Sequence, residues 1–270
     1  MKKKIVKLIS YLFPGPVVNF AYNQLTNPQI KKLRTHELET LEKAEKESLD
    51  FKGFQIQTYC WRGGDKEVML VHGWEGQAGN FSDLVNRLLS VGYTIRAFDG
   101  PSHGFSSKGR TSLFEFTELV GVLIRKYKAK NLISHSFGGV ATTYALYANK
   151  DLSIDKYVLL TTPDRFVERI EDVSKMTGIT KKVKDKLITR LEKELSVDVS
   201  VLNVSDFVQD AKVDSALIIH DKDDKVIPIN RSKNVHKNWK ASKFEEITGT
   251  GHFRILRTEK VHDLVIDFLD

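Results

Sequence analysis

The 270-residue sequence predicts an α/β fold in which a mostly parallel central sheet is flanked by helices. Short, uninterrupted apolar runs recur along the chain, and such runs are typical of strands that are buried on both faces of a sheet. The segments between them have the spacing of amphipathic helices, as at 81–89 and 113–127. Strands and helices that alternate in this way form βαβ units, whose strands run parallel.

The elements are expected in a definite order. An antiparallel pair opens the sheet, formed by 48–52 and 54–61, with Gly53 at the turn. Further strands are predicted at 68–71, 93–98, 131–133, 157–160, 216–219 and 243–247. The apolar spacing over 261–268 then predicts a helix. The chain is long for one domain, but α/β units of roughly 200–250 residues commonly fold as one.

Two segments fall outside this alternation. Residues 1–48 are predicted to form a basic, helical arm, and residues 49–270 the main domain. Within the main domain, about 162–213 is charged and helical in pattern and lies between two predicted strands. This stretch is expected to be a helical insertion.

Basic charge is concentrated in the arm. With 42 basic and 35 acidic side chains, the chain has a net charge of +7 at pH 7. The basic residues that precede the first acidic one, Glu37, account for all of this excess: Lys2, Lys3, Lys4, Lys7, Lys31, Lys32 and Arg34. A neutral body with a basic end does not indicate nucleic-acid binding.

The arm is also apolar, over 5–13 and 17–22. Lys7 interrupts the first apolar segment and no small-x-small cleavage site follows, which argues against a secretory signal. No apolar run reaches the ~20 residues of a membrane span. We expect the arm to pack on the body, with weak peripheral contact to an anionic membrane surface and a secretory signal as alternatives. The single cysteine, Cys60, allows no internal disulfide and gives no sign of an oxidising compartment, so a cytoplasmic location is expected.

A serine flanked by small residues follows the apolar run 131–133. The sequence over 134–139 is Ser-His-Ser-Phe-Gly-Gly, and a helix-like segment comes next. A strand that turns tightly into a helix brings backbone close to the serine, so the surrounding positions must be small. Ser136 is therefore a candidate nucleophile. Ser134 stands where glycine is usual, and a motif this short also occurs by chance.

A serine nucleophile needs an imidazole base, and the chain has eight histidines. His252 lies in a Gly-Thr-Gly-His loop after the late strand, from which it can reach across the end of the sheet, and it is the candidate base. His135 is expected to pack beside the serine. Three others lie in charged segments and are expected at the surface: His36, His236 and His262.

The acid that orients the base should lie between the serine and the histidine in the chain. A buried strand ends there in the acidic turn 220–228. Asp224 is favoured because Val-Ile-Pro follows it and restrains the backbone. Asp221 is expected to serve the turn, since aspartate readily bonds its own backbone. Asp223 is the nearest alternative, and Asp164 is a more distant one.

Two further loops follow strands that precede the serine. The first, His-Gly-Trp-Glu-Gly over 72–76, turns sharply and exposes backbone N–H groups, which acyl transfer needs for a developing oxyanion. The candidate donors are the amides of Trp74 and Phe137. His72 is expected to tie down this loop from a buried position, and His103 to support the second loop.

Taken in order, these motifs resemble the α/β-hydrolase superfamily. They are a His-Gly-Trp loop, an Asp-x-Pro-x-His-Gly-x-Ser loop, a serine elbow, Asp-x-x-x-Pro and Gly-x-Gly-His, and they extend over roughly 49–270 apart from the insertion. The resemblance implies a triad of Ser136, Asp224 and His252 and an oxyanion hole of the Trp74 and Phe137 amides. A serine nucleophile argues against the dehalogenase and epoxide hydrolase branches, which use aspartate.

The resemblance also implies a cap and a reaction. The insertion at about 162–213 would be a small helical cap that covers the site, excludes water and shapes the pocket. Its apolar side chains either line that pocket or pack the cap onto the body: Phe166, Ile170, Met176, Ile179, Leu187, Ile188 and Leu191.

The implied reaction is hydrolysis of a carboxylic ester, or a related small-molecule acyl compound, through an acyl-enzyme. It needs no cofactor and no metal. Acyl transfer to an alcohol or thiol is an alternative. So is a non-catalytic ligand-binding or interaction protein, against which the intact order of the three residues argues.

Overall fold

In the computed structural model, which describes residues 2–29 and 32–270, an eight-stranded sheet lies between two layers of helices. The strands are β1 (Glu45–Phe51), β2 (Phe54–Trp61), β3 (Lys66–Val71), β4 (Tyr93–Phe98), β5 (Asn131–His135), β6 (Ile154–Leu160), β7 (Val213–Asp221) and β8 (Ser242–Ile247). Their order in the sheet is β1-β2-β4-β3-β5-β6-β7-β8.

The strand directions confirm the predicted fold class. β1 pairs antiparallel with β2, and β2 pairs antiparallel with β4. All the other pairings are parallel, including those of β5 with β3 and with β6. β1 begins at Glu45 and so crosses the predicted boundary between the arm and the main domain.

The helices lie before the first strand, between the strands and after the last strand. They are α1 (Lys2–Leu12), α2 (Pro14–Thr26), α3 (Thr35–Glu42), α4 (Ser82–Ser90), α5 (Leu113–Tyr127), α6 (Phe137–Ala148), α7 (Phe166–Thr177), α8 (Lys181–Leu195), α9 (Val204–Asp210), α10 (Ile229–Lys237), α11 (Gly251–Arg254) and α12 (Glu259–Leu269). None of the helices within 2–29 and 32–270 is both long and apolar enough to cross a bilayer.

The uninterrupted apolar runs become strands because both faces of the sheet are covered. Along β3, Met69 and Val71 enter one apolar cluster, while Val68 and Leu70 enter the other. All four side chains are buried. Full burial of an aliphatic side chain contributes about 1.5–3 kcal/mol, so neither face of the strand tolerates a polar residue without a partner.

The inserted segment between β6 and β7 contains α7, α8 and α9, and the first two helices of the chain pack against it. α1 contacts α7, and α2 lies along α8. Arg190 of α8 places its guanidinium 3.8 Å from the ring centre of Tyr22 in α2, and it donates a hydrogen bond of 2.7 Å to Asn19. The N-terminal arm is therefore joined to the inserted helices.

The parallel strands bring their carboxyl ends to one edge of the sheet. In open α/β sheets this is the edge where ligands bind. β3, β5, β7 and β8 are followed there by Trp74, Ser136, Asp224 and His252, respectively. Four residues that are far apart in the sequence are thus delivered to one place by the topology alone.

Candidate active site

Ser136 occupies a strained turn between β5 and α6. Its backbone angles are φ 53° and ψ −123°, a region that non-glycine residues rarely adopt. Such a conformation costs on the order of 1–3 kcal/mol and persists only where surrounding contacts hold it. Here the Ser136 amide donates to the carbonyl of Leu160 at 2.9 Å, which ties the turn to β6.

The small residues of the turn are required by the backbone that passes beside it. A Cβ atom on Gly138 would lie 2.4 Å from the carbonyl oxygen of Val71, at the end of β3. A Cβ on Gly73 would lie 3.1 Å from the Cβ of Ser136. Ser134 fits at the irregular position because its buried hydroxyl is 2.8 Å from the hydroxyl of Tyr157.

Ser136, His252 and Asp224 form a continuous hydrogen-bonded chain. The Oγ of Ser136 lies 3.1 Å from His252 Nε2, and His252 Nδ1 lies 2.8 Å from Asp224 Oδ2. A carboxylate can only accept, so Nδ1 carries the proton and Nε2 presents its lone pair to the serine hydroxyl. The structure therefore brings the three predicted residues together in the predicted order.

Asp224 is buried, and both oxygens of its carboxylate accept hydrogen bonds. Its second oxygen accepts hydrogen bonds from the amides of Val226 at 2.7 Å and Ile227 at 2.9 Å. Burial alone would raise the pKa of Asp224, but hydrogen bonding from His252 and these two amides outweighs it and holds the pKa below its usual value. Asp224 therefore stays ionised beside the imidazole.

The neighbouring aspartates have other positions. Asp223 is exposed, and its amide donates to the Oδ1 of Asp221 at 2.7 Å, which is the turn expected for Asp221. Asp221 does more than the sequence predicts. Its other oxygen accepts from the Thr250 hydroxyl at 2.7 Å and from the Gly251 amide at 2.8 Å, so it anchors the loop that carries His252.

Asp164 is buried away from His252. It accepts hydrogen bonds from the Ser205 amide at 2.8 Å and from the side chain of Asn234 at 2.6 Å. These contacts join the start of the inserted segment to α9 and α10. Neither Asp164 nor Asp223 is within reach of the imidazole that Asp224 holds.

Four other buried histidines surround this chain of contacts. His72 accepts from the Gly100 amide at 2.8 Å and links two loops, as expected. His103 lies 2.9 Å from the carbonyl of Pro101. His220 lies 3.6 Å from Asp224. Burial lowers the pKa of these three histidines and of His135, so each is neutral at pH 7. None of them therefore forms an ion pair with Asp224 in place of His252.

The surface position predicted for His262 is wrong. Its side chain is buried, and its Nε2 donates to the Leu256 carbonyl at 3.0 Å. α12 turns His262 inward together with Val261 and Val265, because these residues share one face of the helix. The charged neighbours in the sequence lie on the opposite face.

The two residues whose amides are the candidate oxyanion donors are in side-chain contact. The rings of Trp74 and Phe137 meet edge to face, with centroids 5.3 Å apart. Phe137 is the first residue of α6, and the amides of a first helical turn have no partner within the helix. The turn 73–76, which contains Trp74, is closed by a hydrogen bond of 3.0 Å from the Gly76 amide to the Gly73 carbonyl, and this bond does not use the Trp74 amide.

A cavity of about 280 Å³ opens beside Ser136 and His252. The loop 73–76 forms one part of its wall, and Phe253 and Arg257 form another. The third part comes from the N-terminal arm and contains Lys32, Arg34 and Glu37. The sequence patterns described above do not predict that the N-terminal arm contributes to the cavity wall.

The inserted helices do not line this cavity. Lining of this cavity, one of the two roles expected for their apolar side chains, is not seen among the described residues, and the cap stays a prediction. Ile170, Leu187 and Leu191 are instead buried in the apolar cluster of the body, which is the packing alternative. α7 still contacts the segment that follows Asp224, since Arg169 donates a hydrogen bond of 2.8 Å to the carbonyl of Val226, two residues after Asp224.

Arg34 and Glu37 form a compact pair at the cavity wall. The backbone amide and the guanidinium of Arg34 each donate to Glu37 at 2.7 Å. Burial would raise the pKa of Glu37, but these bonds from Arg34 hold it below its usual value. In the sequence this segment shows only the basic run Lys-Lys-Leu-Arg over 31–34, which does not by itself predict a cavity wall.

Comparisons with known proteins agree with this architecture. The model of the Alpha/beta hydrolase family matches residues 68–264 of the 270. No curated protein matches the chain. An esterase from Pyrococcus furiosus superposes with a TM-score of 0.65 at 18% identity, over 91% of this chain and 97% of that one.

Two further solved structures share the fold. Est1E from Butyrivibrio proteoclasticus, solved with ferulic acid bound, gives a TM-score of 0.64 at 18% identity and covers 83% of this chain and 99% of its own. A bacterial membrane phospholipase A gives 0.66 at 16% identity, over 99% of this chain and 94% of its own. Together with the family match, the parallel sheet and the serine elbow, they confirm the resemblance stated from the motifs: the chain belongs to the α/β-hydrolase family.

Proposed function

We propose that this protein hydrolyses a carboxylic ester of a small molecule through an acyl-enzyme. The observation that carries the proposal is the chain of contacts from Asp224 Oδ2 through the imidazole of His252 to Ser136 Oγ, at 2.8 and 3.1 Å, on the edge of an open cavity. The esterases and the phospholipase that share the fold support the same reaction class.

In the first step, Ser136 Oγ attacks the carbonyl carbon of the ester while His252 Nε2 accepts its proton. Asp224 keeps the proton of the imidazole on Nδ1 and stabilises the positive charge that forms on the ring. His252 then donates its new proton to the leaving alcohol. The acyl group remains on Ser136 as an ester.

The negative charge that develops on the carbonyl oxygen is received by the amides of Trp74 and Phe137. A donor of this kind commonly contributes roughly 3–4 kcal/mol to transition-state stabilisation. In the second step, His252 activates a water molecule that attacks the acyl-enzyme and releases the acid. The oxyanion forms again at the same place and is held by the same two amides.

The cavity supports a small reacting group. At about 280 Å³ it is slightly smaller than the usual range for ligand sites, roughly 300–1,000 Å³. It accommodates a short acyl chain or the polar part of a larger ester. A larger substrate must extend out of the cavity into solvent or into another phase.

Labelling with a fluorophosphonate probe tests the nucleophile. We expect the wild type to form a stable adduct and Ser136→Ala to form none. Ser200→Ala is the matched control, because Ser200 is an exposed serine on the turn after α8, and it should label like the wild type. Absence of labelling in the wild type, or equal labelling of Ser136→Ala, would contradict the proposal.

A second measurement separates hydrolysis from acyl transfer. Turnover of p-nitrophenyl esters is followed with and without an added alcohol, and the products are separated by chromatography. Free acid as the main product in both conditions is the result expected for a hydrolase. A new ester as the main product would assign the same serine to an acyltransferase.

A further inference from the structure

α1 turns an apolar stripe toward solvent. Ile5, Leu8, Ile9 and Leu12 have the i, i+3, i+4, i+7 spacing that places them on one face, and all four are exposed, Leu8 by 60% and Leu12 by 57%. On the opposite face Ser10 is fully buried, and its hydroxyl has no hydrogen-bond partner within 2–29 and 32–270. A surface helix normally buries its apolar face and exposes its polar face.

The exposed apolar area continues beyond α1. Tyr11, Phe13 and Phe20 are also exposed. We call the set Ile5, Leu8, Ile9, Tyr11, Leu12, Phe13 and Phe20 the arm surface. It contains seven of the thirteen large apolar side chains that are exposed in the described part of the chain. Concentrated apolar exposure of this kind marks an interaction site on a protein surface.

Packing holds the helices in this orientation. The carbonyl oxygen of Lys3 lies so close to Gly178, at the end of α7, that a Cβ on Gly178 would be 2.6 Å from it. In α2, Val18, Tyr22 and Thr26 face inward while Phe20 faces out. These contacts fix the orientation of the helices. The apolar stripe of α1 is therefore exposed and is not buried against the rest of the protein.

The charged side chains that α1 itself contributes have one sign. Lys3, Lys4 and Lys7 are exposed on α1, and none of them forms an ion pair with any described residue. The chain contains no acidic residue before Glu37. Lys4 lies beside the apolar stripe, whereas Lys3 and Lys7 share the face of Ser10. A helix with an exposed apolar stripe and with lysines as its only charged residues has the composition of helices that lie in the interface of anionic membranes.

We infer that the arm surface docks on a bilayer that contains anionic phospholipid, and that the substrate is an acyl ester held in such a bilayer. The second half rests on the proposed function, whereas the docking does not. A second copy of the chain fits this surface less well, because its own arm carries the same positive charge and has no acidic residue before Glu37 to complement it. An anionic lipid surface matches both the apolar stripe and the charge.

The arm connects this surface to the reaction site. The Gln24 carbonyl, near the end of α2, accepts a bond of 3.3 Å from the indole of Trp74, and the Gln29 amide donates to Glu75 at 3.3 Å. Farther along the arm, Arg34 lines the cavity beside Ser136. One continuous segment thus leads from the docking surface to the cavity wall. In the proposal, the ester group of a lipid from the docked bilayer enters this cavity.

Cosedimentation with vesicles tests the docking in the Ser136→Ala background, where no lipid is cleaved. We expect binding to vesicles of phosphatidylglycerol with phosphatidylcholine, and little binding to phosphatidylcholine alone. Leu12→Glu should lower the partition coefficient about tenfold or more, because one leucine is no longer buried in the bilayer. The matched control is Val201→Glu, since Val201 is 55% exposed on another part of the surface, and it should bind like its parent.

Charge is tested separately. Lys4→Gln with Lys7→Gln should weaken binding to the anionic vesicles, and about 0.5 M salt should do the same because it screens charges on a lipid surface. Equal melting temperatures of all variants check that the fold is intact, as expected for exposed positions. No binding by the parent, or equal binding by Leu12→Glu, would overturn the inference. Self-association that Leu12→Glu abolishes, without vesicle binding, would assign the surface to a second copy.

Activity measurements distinguish the two halves. In the active enzyme we expect Leu12→Glu to lower the ratio of the rate on a vesicle-embedded ester to the rate on a water-soluble ester, while Val201→Glu leaves that ratio unchanged. An unchanged ratio in Leu12→Glu would refute the membrane substrate. Absence of turnover on every ester by the wild type would instead refute the proposed hydrolase, and vesicle binding would still decide the docking.

Discussion

The Nε2 nitrogen of His135 donates a hydrogen bond to the backbone carbonyl of His252, at 2.8 Å. His135 is the residue immediately before Ser136, so the neighbour of the candidate nucleophile positions the backbone of the candidate base. The two rings are 4.9 Å apart between centroids. Burial lowers the pKa of His135 to about 3, which keeps it neutral beside the imidazole of His252, on which the proposed mechanism places a positive charge.

This burial predicts a dependence of stability on pH. The unfolded chain binds a proton at His135 below about pH 6.5, but the folded protein does not until about pH 3. Between these values the unfolded state binds more protons, so stability falls by about 1.4 kcal/mol per pH unit as the pH decreases, from this residue alone. We expect His135→Asn, which retains a donor for the His252 carbonyl, to remove this part of the slope.

Urea unfolding at pH 7, 5.5 and 4.5 measures the effect. The stability difference between wild type and His135→Asn should move in favour of the variant as the pH decreases. His36→Asn is the comparison at the surface, because the side chain of His36 is 46% exposed and its substitution removes an ion pair with Asp83. A stability difference between wild type and His135→Asn that does not change with pH would show that His135 is not buried in a neutral form.

Two adjacent aspartates provide a matched pair for the acid. Asp224→Asn should reduce kcat by roughly 10³–10⁴-fold, because the amide favours the wrong tautomer of His252. Asp223→Asn should change kcat little, since the side chain of Asp223 is exposed and the imidazole of His252 is bonded to Asp224 instead. The assay is turnover of a soluble ester, with melting temperatures to check folding. A large loss in Asp223→Asn with a small one in Asp224→Asn would reverse the assignment.

Two helical glycines provide a second pair. A Cβ on Gly138 of α6 would lie 2.4 Å from the Val71 carbonyl, whereas the nearest heavy atom to a Cβ on Gly121 of α5 is 3.6 Å away. Both substitutions by alanine improve helix propensity by about 1 kcal/mol. We therefore expect Gly121→Ala to leave the protein equally or more stable, and Gly138→Ala to destabilise it and to reduce turnover.

Thermal unfolding and soluble-ester turnover measure these two variants in parallel. The elbow must shift away from the end of β3 to accept a methyl group on Gly138, and Ser136 moves with it. Similar stability and similar turnover in the two variants would mean that the elbow tolerates the extra atom. The proposed need for close backbone approach at the nucleophile would then be wrong.

Much of the fold and the meeting of the three site residues could be predicted from local sequence. The buried strands are continuous apolar runs, and a parallel sheet places the residues after them at one edge. Asp224 was favoured over Asp223 from the Val-Ile-Pro that follows it. In the structure the amides of Val226 and Ile227 bind the Asp224 carboxylate, which is a local effect of the same segment.

The cavity wall could not be predicted in this way. Arg34 reaches the cavity because the arm is held by distant contacts, such as Tyr22 with Arg190 and Gln24 with Trp74. Contacts between residues so far apart in the sequence leave no periodic or local signal. Likewise, the role of Asp221 in holding the loop of His252 depends on the pairing of β7 with β8, which only the folded sheet provides.

The wall at Lys32, Arg34 and Glu37 has a consequence for how relatives of this protein are grouped. The family match begins at residue 68, so the residues that bound the cavity from the arm lie outside the stretch by which family members are recognised. Two proteins that agree over the matched stretch can therefore differ in the substrates they admit. Sorting such sequences by their first 67 positions should separate substrate preferences that a classification by the shared fold merges.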